Sequence, residues 1–259
     1  MQDTSEISAM ILAGGLGTRL RTVVSDRPKV LAEVCGRPFM AYLLDQLVGA
    51  GFRNAVIGTG YMADQVEQTF GDTYGPLKIK YSKETKPLGT GGALRLAMPS
   101  LNSEAVLVMN GDSFIDADLK AFAKWFFEHG RKPTILLTKL PDTSRFGRVI
   151  LGTDSTILSF EEKSDAAGPG WINAGVYLLT RTSIATIEPG RYYSLEREFF
   201  PGLAGKSLRG YCVEDRFIDI GTPEAYAAAE QFFDQAKKTR RTDNLPASGP
   251  SSSRADPGG

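Results

Sequence analysis

Gly14-Gly15-Leu16-Gly17-Thr18-Arg19 follows the apolar run Met10-Ile11-Leu12-Ala13, and Arg27-Pro28-Lys29 comes soon after. Glycines let backbone N–H groups approach an anion closely, because no Cβ intervenes. Arg19 offers a planar fork of donors and Lys29 a mobile point charge, two common ways of holding phosphate oxygens. Together they read as a triphosphate cradle made from Leu12, Ala13, Gly14, Gly15, Gly17, Thr18, Arg19 and Lys29. It is not a P-loop, which requires Gly-Lys-Ser/Thr at a fixed spacing. Nor is it the dinucleotide fingerprint, because Leu20 stands where the third glycine belongs. A nicotinamide-dependent oxidoreductase is therefore disfavoured. A ligand-free strand-to-helix turn is the plain alternative, and the two cations argue against it.

Two aspartates add a second kind of chemistry. Asn110-Gly111-Asp112 follows the unbroken apolar run Ala105 to Met109. A carboxylate there can hold Mg²⁺, a hard cation suited to carboxylate and phosphate oxygens, or it can close an Asx-turn or cap a helix. Asp219 sits in Phe217-Ile218-Asp219-Ile220-Gly221. An ionised carboxylate in such a run needs a cation or several donors; backbone N–H groups at the helix start near Thr222-Pro223 are the alternative partner. In Phe160-Glu161-Glu162-Lys163, strand alternation would put Glu161 and Lys163 on one face, although such a charge run also suits a solvated edge. His129, the one histidine, precedes Gly130 at a helix end, where a cation suits the dipole. It is assigned no catalytic role.

Leu12 to Leu20 together with Pro28-Lys29 resembles the signature of the sugar-1-phosphate nucleotidyltransferases, the NDP-sugar pyrophosphorylases. The resemblance extends from Leu12 to Glu224 and leans toward the members that guanylylate D-glycero-α-D-manno-heptose 1-phosphate. It implies attack by a sugar 1-phosphate on an NTP, GTP favoured, giving an NDP-sugar and pyrophosphate. By this resemblance Arg19, Lys29, Asp112 and Asp219 are the catalytic set, and Asp112 and Asp219 hold Mg²⁺. Pro87, Gly89 and Thr90 belong to the loop beside the nucleobase, although a helix N-terminus with small residues is the plain alternative, with Glu84 just upstream as a candidate acceptor for guanine N–H groups. Gly111, Gly147, Glu161, Lys163, Asn173 and Gly175 face the sugar phosphate. Other sugar–nucleotide pairs, such as mannose 1-phosphate with GTP or a glucose-type sugar with UTP, dTTP or CTP, are alternatives. A catalytically silent regulatory homologue is a rival of another class. A heptose product would imply a capsule or surface-polysaccharide pathway.

The elements that must position these groups alternate. Apolar runs at Ser8–Ala13, Ala55–Gly58, Leu77–Tyr81 and Ala105–Met109 read as strands, and Pro38–Val48, Asp64–Phe70 and Gly92–Met98 as helices. Later come helices at Asp118–His129, with Phe122, Trp125 and Phe126 as its buried stripe, and at Pro223–Lys237. Strands are expected at 134–138, 148–151, 157–160, 172–179 and 207–213. The order predicts an α/β fold: a Rossmann-like three-layer αβα sandwich with a mixed, mostly parallel sheet, of the nucleotide-diphospho-sugar transferase, GT-A-like kind. Ligands then sit beyond the C-terminal strand ends. One domain is expected over residues 1–237, with a nucleotide half at about 7–115 and a sugar half at about 116–237. Residues 238–259, rich in Pro, Gly and Ser, read as a disordered tail.

Composition agrees with an enzyme acting on small molecules. The 259 residues carry 30 basic and 30 acidic side chains, so bulk charge gives no case for nucleic acid or a membrane surface. No signal peptide or membrane span is read from the sequence. Two distant cysteines, Cys35 and Cys212, fit a reducing cytoplasm. A homo-oligomer is left open.

Overall fold

A computed structural model describes residues 3–161 and 168–243. The strands are β1 (Ser8–Leu12), β2 (Glu33–Val34), β3 (Arg37–Pro38), β4 (Asn54–Thr59), β5 (Thr73–Tyr74), β6 (Leu77–Lys83), β7 (Ala105–Asn110), β8 (Ser113–Ile115), β9 (Thr134–Leu140), β10 (Arg148–Leu151), β11 (Ile157–Glu161), β12 (Gly170–Thr180), β13 (Arg209–Val213) and β14 (Phe217–Asp219). The helices are α1 (Phe39–Gly49), α2 (Ala63–Phe70), α3 (Gly89–Ala97), α4 (Leu119–Glu128), α5 (Arg181–Ala185), α6 (Phe200–Leu203) and α7 (Pro223–Asp243).

One mixed sheet runs β11-β10-β12-β7-β1-β4-β6-β5, with β9 and β13 attached beside β12. Its nucleotide half is parallel: β1 pairs in parallel with both β4 and β7, and β4 with β6. The apolar run of β7 is unbroken because helices cover both of its faces. Alternation along β1 shows the two layers. Ala9 and Ile11 face the core under α1, α4 and α7, whereas Met10 faces α3 and the segment around Leu195. The sugar half is built on β12, antiparallel to β7, β9 and β10.

The expected alternation of elements is present, with local differences. α3 starts at Gly89, three residues before its predicted start. α7 continues to Asp243, six residues past the predicted end at Lys237, so residues 238–243 are helical. The rest of the predicted tail lies outside the described residues. Phe122 and Phe126 are fully buried, but Trp125 is only half-buried and stacks on His129. Asp118 caps α4 by accepting from Lys120 and Ala121 N–H. The short strands β8 and β14 were not expected; they pair antiparallel outside the main sheet.

Candidate active site

The C-terminal ends of β1, β4, β6 and β7 open onto one cleft of about 390 Å³. Leu12 through Arg19, Lys29, Glu84, Pro87, Gly89, Thr90, Asn110, Gly111 and Asp112 all line it. Among the described residues, the six successive N–H groups from Gly14 to Arg19 make no hydrogen bond. The loop lacks regular structure, Gly17 is in the left-handed region at φ +61°, and Thr18 and Arg19 are exposed. A row of free donors beside an unpaired guanidinium is an anion-binding arrangement. Close approach explains Gly111: its N–H donates to Leu12 O at 2.9 Å, and a Cβ there would stand 2.7 Å from the same oxygen.

Lys29 opens a 3₁₀ turn, Lys29–Leu31, entered through extended Pro28. Its Nζ bonds Asp112 Oδ2 at 2.7 Å, and its side chain is only 11% exposed. β8 and β14 bring the second aspartate alongside. Asp219 pairs in register with Ser113, and Ile220 N donates to Asp112 O at 2.9 Å. Burial, then the neighbouring Asp112 charge, push the Asp219 carboxyl above the ordinary range; Lys29, the Gly221 N–H and Arg145 oppose this. The Gly221 N–H donates to Asp219 Oδ1 at 2.8 Å, so the backbone partner weighed for this residue is present beside the other aspartate. The Thr222 hydroxyl caps α7 by accepting from Ala225 N–H.

The segment Pro87–Gly92 lines the cleft with Pro87, Gly89 and Thr90 and opens α3. Its glycines admit the backbone of residues 191–193: Gly91 and Gly92 donate to Tyr193 O, and a Cβ on Gly92 would lie 2.6 Å from Arg191 O. Close packing of the chain on itself accounts for these small residues. Glu84 is half committed: Oε2 accepts from Leu88 N–H at 2.8 Å, while Oε1 lies against Gly14. Burial raises its carboxyl above the usual range, against the pull of Leu88 N–H. The Thr90 hydroxyl turns from the cleft to donate to Glu196 Oε2 at 2.6 Å. Tyr192, 62% exposed, stands at the cleft mouth.

On the sugar side, Asn173 and Gly175 lie against the cleft wall. Asn173 Oδ1 accepts from Gly175 N–H at 2.8 Å and holds Gly175 at φ +75°. A Cβ on Gly175 would stand 2.5 Å from Ser113 Oγ and 3.1 Å from Asn110. Gly147, at φ +76°, precedes β10, and Glu161 ends β11, where Arg148 Nε stands 3.8 Å from its carboxylate. Among the described residues, no hydrogen bond ties Gly147 or Glu161 to the cleft wall. Lys163 lies outside the described residues. The sequence reading assigned no role to Tyr177, Asn110 or Glu196, which form one partly buried network. Tyr177 comes in an ordinary apolar strand, and Glu196 lies in Tyr192-Tyr193-Ser194-Leu195-Glu196, a run that resembles the heptose-type enzymes and in which Ser194 caps the following π-turn.

Comparison with known proteins agrees with this geometry. The family model described as nucleotidyl transferase matches residues 8–236. D-glycero-α-D-manno-heptose 1-phosphate guanylyltransferase of Aneurinibacillus thermoaerophilus is 34% identical over 226 residues, which is 87% of this chain and 97% of the relative. Mannose-1-phosphate guanylyltransferase of Mycobacterium tuberculosis is also 34% identical, over 86% of this chain but only 63% of its own length. The crystal structure of HddC from Yersinia pseudotuberculosis complexed with GMP-PN superposes with a TM-score of 0.78 at 31% identity, covering 88% of this chain and 99% of that one.

Proposed function

Because the chain belongs to the nucleotidyl transferase family, we propose that it transfers GMP from GTP to D-glycero-α-D-manno-heptose 1-phosphate, releasing pyrophosphate. The observation that carries the transfer is the row of free N–H groups from Gly14 to Arg19, which line one cleft together with the Lys29–Asp112 pair. The heptose assignment draws on 34% identity to the D-glycero-α-D-manno-heptose 1-phosphate guanylyltransferases of two bacteria, each matched over 97% of its own length. The HddC complex with GMP-PN favours guanine. Equal identity to the mannose enzyme makes mannose 1-phosphate the second reading.

In this reading the loop N–H groups and Arg19 hold the β- and γ-phosphates, and Lys29 stands near the α-phosphate. The sugar phosphate, an anion near neutral pH, attacks in line, so no general base is needed. Lys163, Glu161, Asn173, Gly147, Gly175 and Gly111 face the sugar phosphate. Glu84, whose Oε2 is taken by Leu88 N–H while Oε1 accepts no hydrogen bond among the described residues, is the base-reading candidate. Asp112 and Asp219 are hard oxygen donors near enough that the Asp112 charge, after burial itself, raises the Asp219 carboxyl. They fit Mg²⁺, which when bound would neutralise phosphate charge. What the protein contributes is positioning and fixed charge. Among the described residues no helix is long and apolar enough to cross a membrane; a reaction drawing on GTP implies the cytoplasm.

Pyrophosphate release with Mg²⁺ tests this across five NTPs against heptose, mannose, glucose and N-acetylglucosamine 1-phosphates. Turnover confined to GTP and the manno-heptose is expected. Preference for mannose 1-phosphate would replace the sugar assignment. Nucleotide binding without turnover anywhere would favour a regulatory homologue.

A further inference from the structure

Glu196 lies in the π-turn Leu195–Phe199, packed against the first turn of α3. Three hydroxyls converge on its carboxylate. Thr90 Oγ1 and Ser194 Oγ donate to Oε2 at 2.6 and 3.1 Å, and the Tyr177 hydroxyl donates to Oε1 at 3.2 Å. Thr90 Oγ1 in turn accepts from Leu195 N–H at 2.9 Å. Tyr177 is wholly buried, and its oxygen meets two amides: Asn173 Nδ2 at 3.1 Å and Asn110 Nδ2 at 3.4 Å.

The direction of these bonds follows from proton counting. An ionised carboxylate only accepts, and a phenol carries one proton. That proton goes to Glu196, so the phenol oxygen can only accept from its other neighbours. Both asparagines must therefore turn their NH₂ groups toward Tyr177 and their carbonyls away. The Asn173 carbonyl is thereby aimed at Gly175 N–H, fixing the left-handed turn beside the cleft. The Asn110 carbonyl is buried without a donor among the described residues, which is the cost of this polarity. Flipping the Asn110 amide would set its carbonyl against a phenol oxygen with no proton left to give.

We propose that Glu196 is a positioning residue for the sugar phosphate: through Tyr177 it sets the amide orientation of Asn173 and Asn110, and with it the shape of the sugar-side wall. This rests on the reading of Asn173 and Gly175 as sugar-facing. Glu196→Gln is the informative variant. With its carbonyl kept toward Thr90 and Ser194, which together make two bonds, its NH₂ group faces Tyr177. The phenol must then donate to an asparagine, and one amide turns over.

The experiment measures steady-state kinetics of full-length wild type, Glu196→Gln, Tyr177→Phe and the double variant with GTP, Mg²⁺ and D-glycero-α-D-manno-heptose 1-phosphate, or mannose 1-phosphate if that is the sugar turned over. The expected result for Glu196→Gln is a KM for sugar phosphate raised about tenfold, the scale of a lost or reversed hydrogen bond, with the KM for GTP changed less than about twofold. Once Tyr177→Phe has removed the phenol, adding Glu196→Gln should shift the sugar KM no further. Equal rises in both KM values, or additive effects of the two substitutions, would overturn the proposal and leave Glu196 a general structural residue. If Glu196→Gln does not fold, Tyr177→Phe alone must still show the split between the two KM values, and its absence is equally decisive. Wild type that turns over no sugar 1-phosphate would instead overturn the functional reading, and the positioning role with it.

Discussion

The loop from Gly14 to Arg19 and the wall of Asn110, Asn173, Tyr177 and Glu196 border neighbouring parts of one site and are built on opposite plans. The loop leaves its donors unpaired, and Arg19 touches no partner among the described residues. The wall is nearly saturated: Glu196 accepts three hydroxyls, and Asn173 is bonded through both ends of its amide. A polyphosphate is highly charged and almost the same in every NTP, so exposed donors that the ligand itself organises suffice to grip it. Sugars differ by the direction of single hydroxyls. Discriminating among them needs amides whose orientation is fixed in advance, because a site built for one hydrogen bond then leaves groups unpaired with the wrong sugar.

The largest effect is expected where the two plans meet. Asp219→Ala should lower kcat/KM on the order of 10²-fold or more, as removal of an electrostatic stabiliser does, and EDTA should silence wild type until Mg²⁺ is restored. Pyrophosphate release measures both. Arg19→Ala should act on the loop alone, raising the KM for GTP by roughly tenfold, the scale of one charge-assisted hydrogen bond, with the KM for sugar phosphate little changed. Asn173→Ala should strike the wall's stability, because Gly175 N–H and the Tyr177 oxygen lose a partner. A loss of about 1–2 kcal/mol in denaturant unfolding is expected. Gly15→Ala is the opposite control: a Cβ there meets nothing within 4 Å. Unfolding should change by no more than about 0.5 kcal/mol. Equal destabilisation by the last two substitutions would break the contrast between an open loop and a locked wall.

The same contrast explains what the sequence made legible. The loop's chemistry is local: glycines, Arg19 and the nearby Pro28-Lys29 are neighbours in the chain, and their types announce the ligand. The alternation of elements was legible for the same reason, since periodicity is read within a short window. The meeting of Asp112 with Asp219 came from family resemblance, because nothing in Phe217-Ile218-Asp219 or Ser113-Phe114-Ile115 alone specifies that they pair. Of the wall, Asn173 came from family resemblance; its links to Asn110, Tyr177, Glu196 and Thr90 were illegible because these groups sit on four separate segments and each looks like something else: a strand tyrosine, a helix-start threonine, a surface glutamate. The small residues of Gly89–Gly92 open α3, as the alternative reading had it, and also admit the chain's own residues 191–193, while Pro87, Gly89 and Thr90 still line the cleft.

The β8–β14 pair carries a consequence for how the protein is made. Strands β1, β4, β6 and β7, and the loop Gly14–Arg19, are all encoded before α4, so the parallel strands leave the ribosome first, although α4 and α7, which cover one face of β1, follow later. Asp219 emerges only after β9 to β13 have been synthesised, on a strand that pairs with β8. A nascent or C-terminally truncated chain would thus display a nucleotide grip with half of its carboxylate pair. In the proposed reading both carboxylates are in place only once β14 is made, after Asn110, Asn173, Tyr177 and Glu196 have been synthesised. Synthesis order would then keep an unfinished chain from passing a nucleotidyl group to another acceptor.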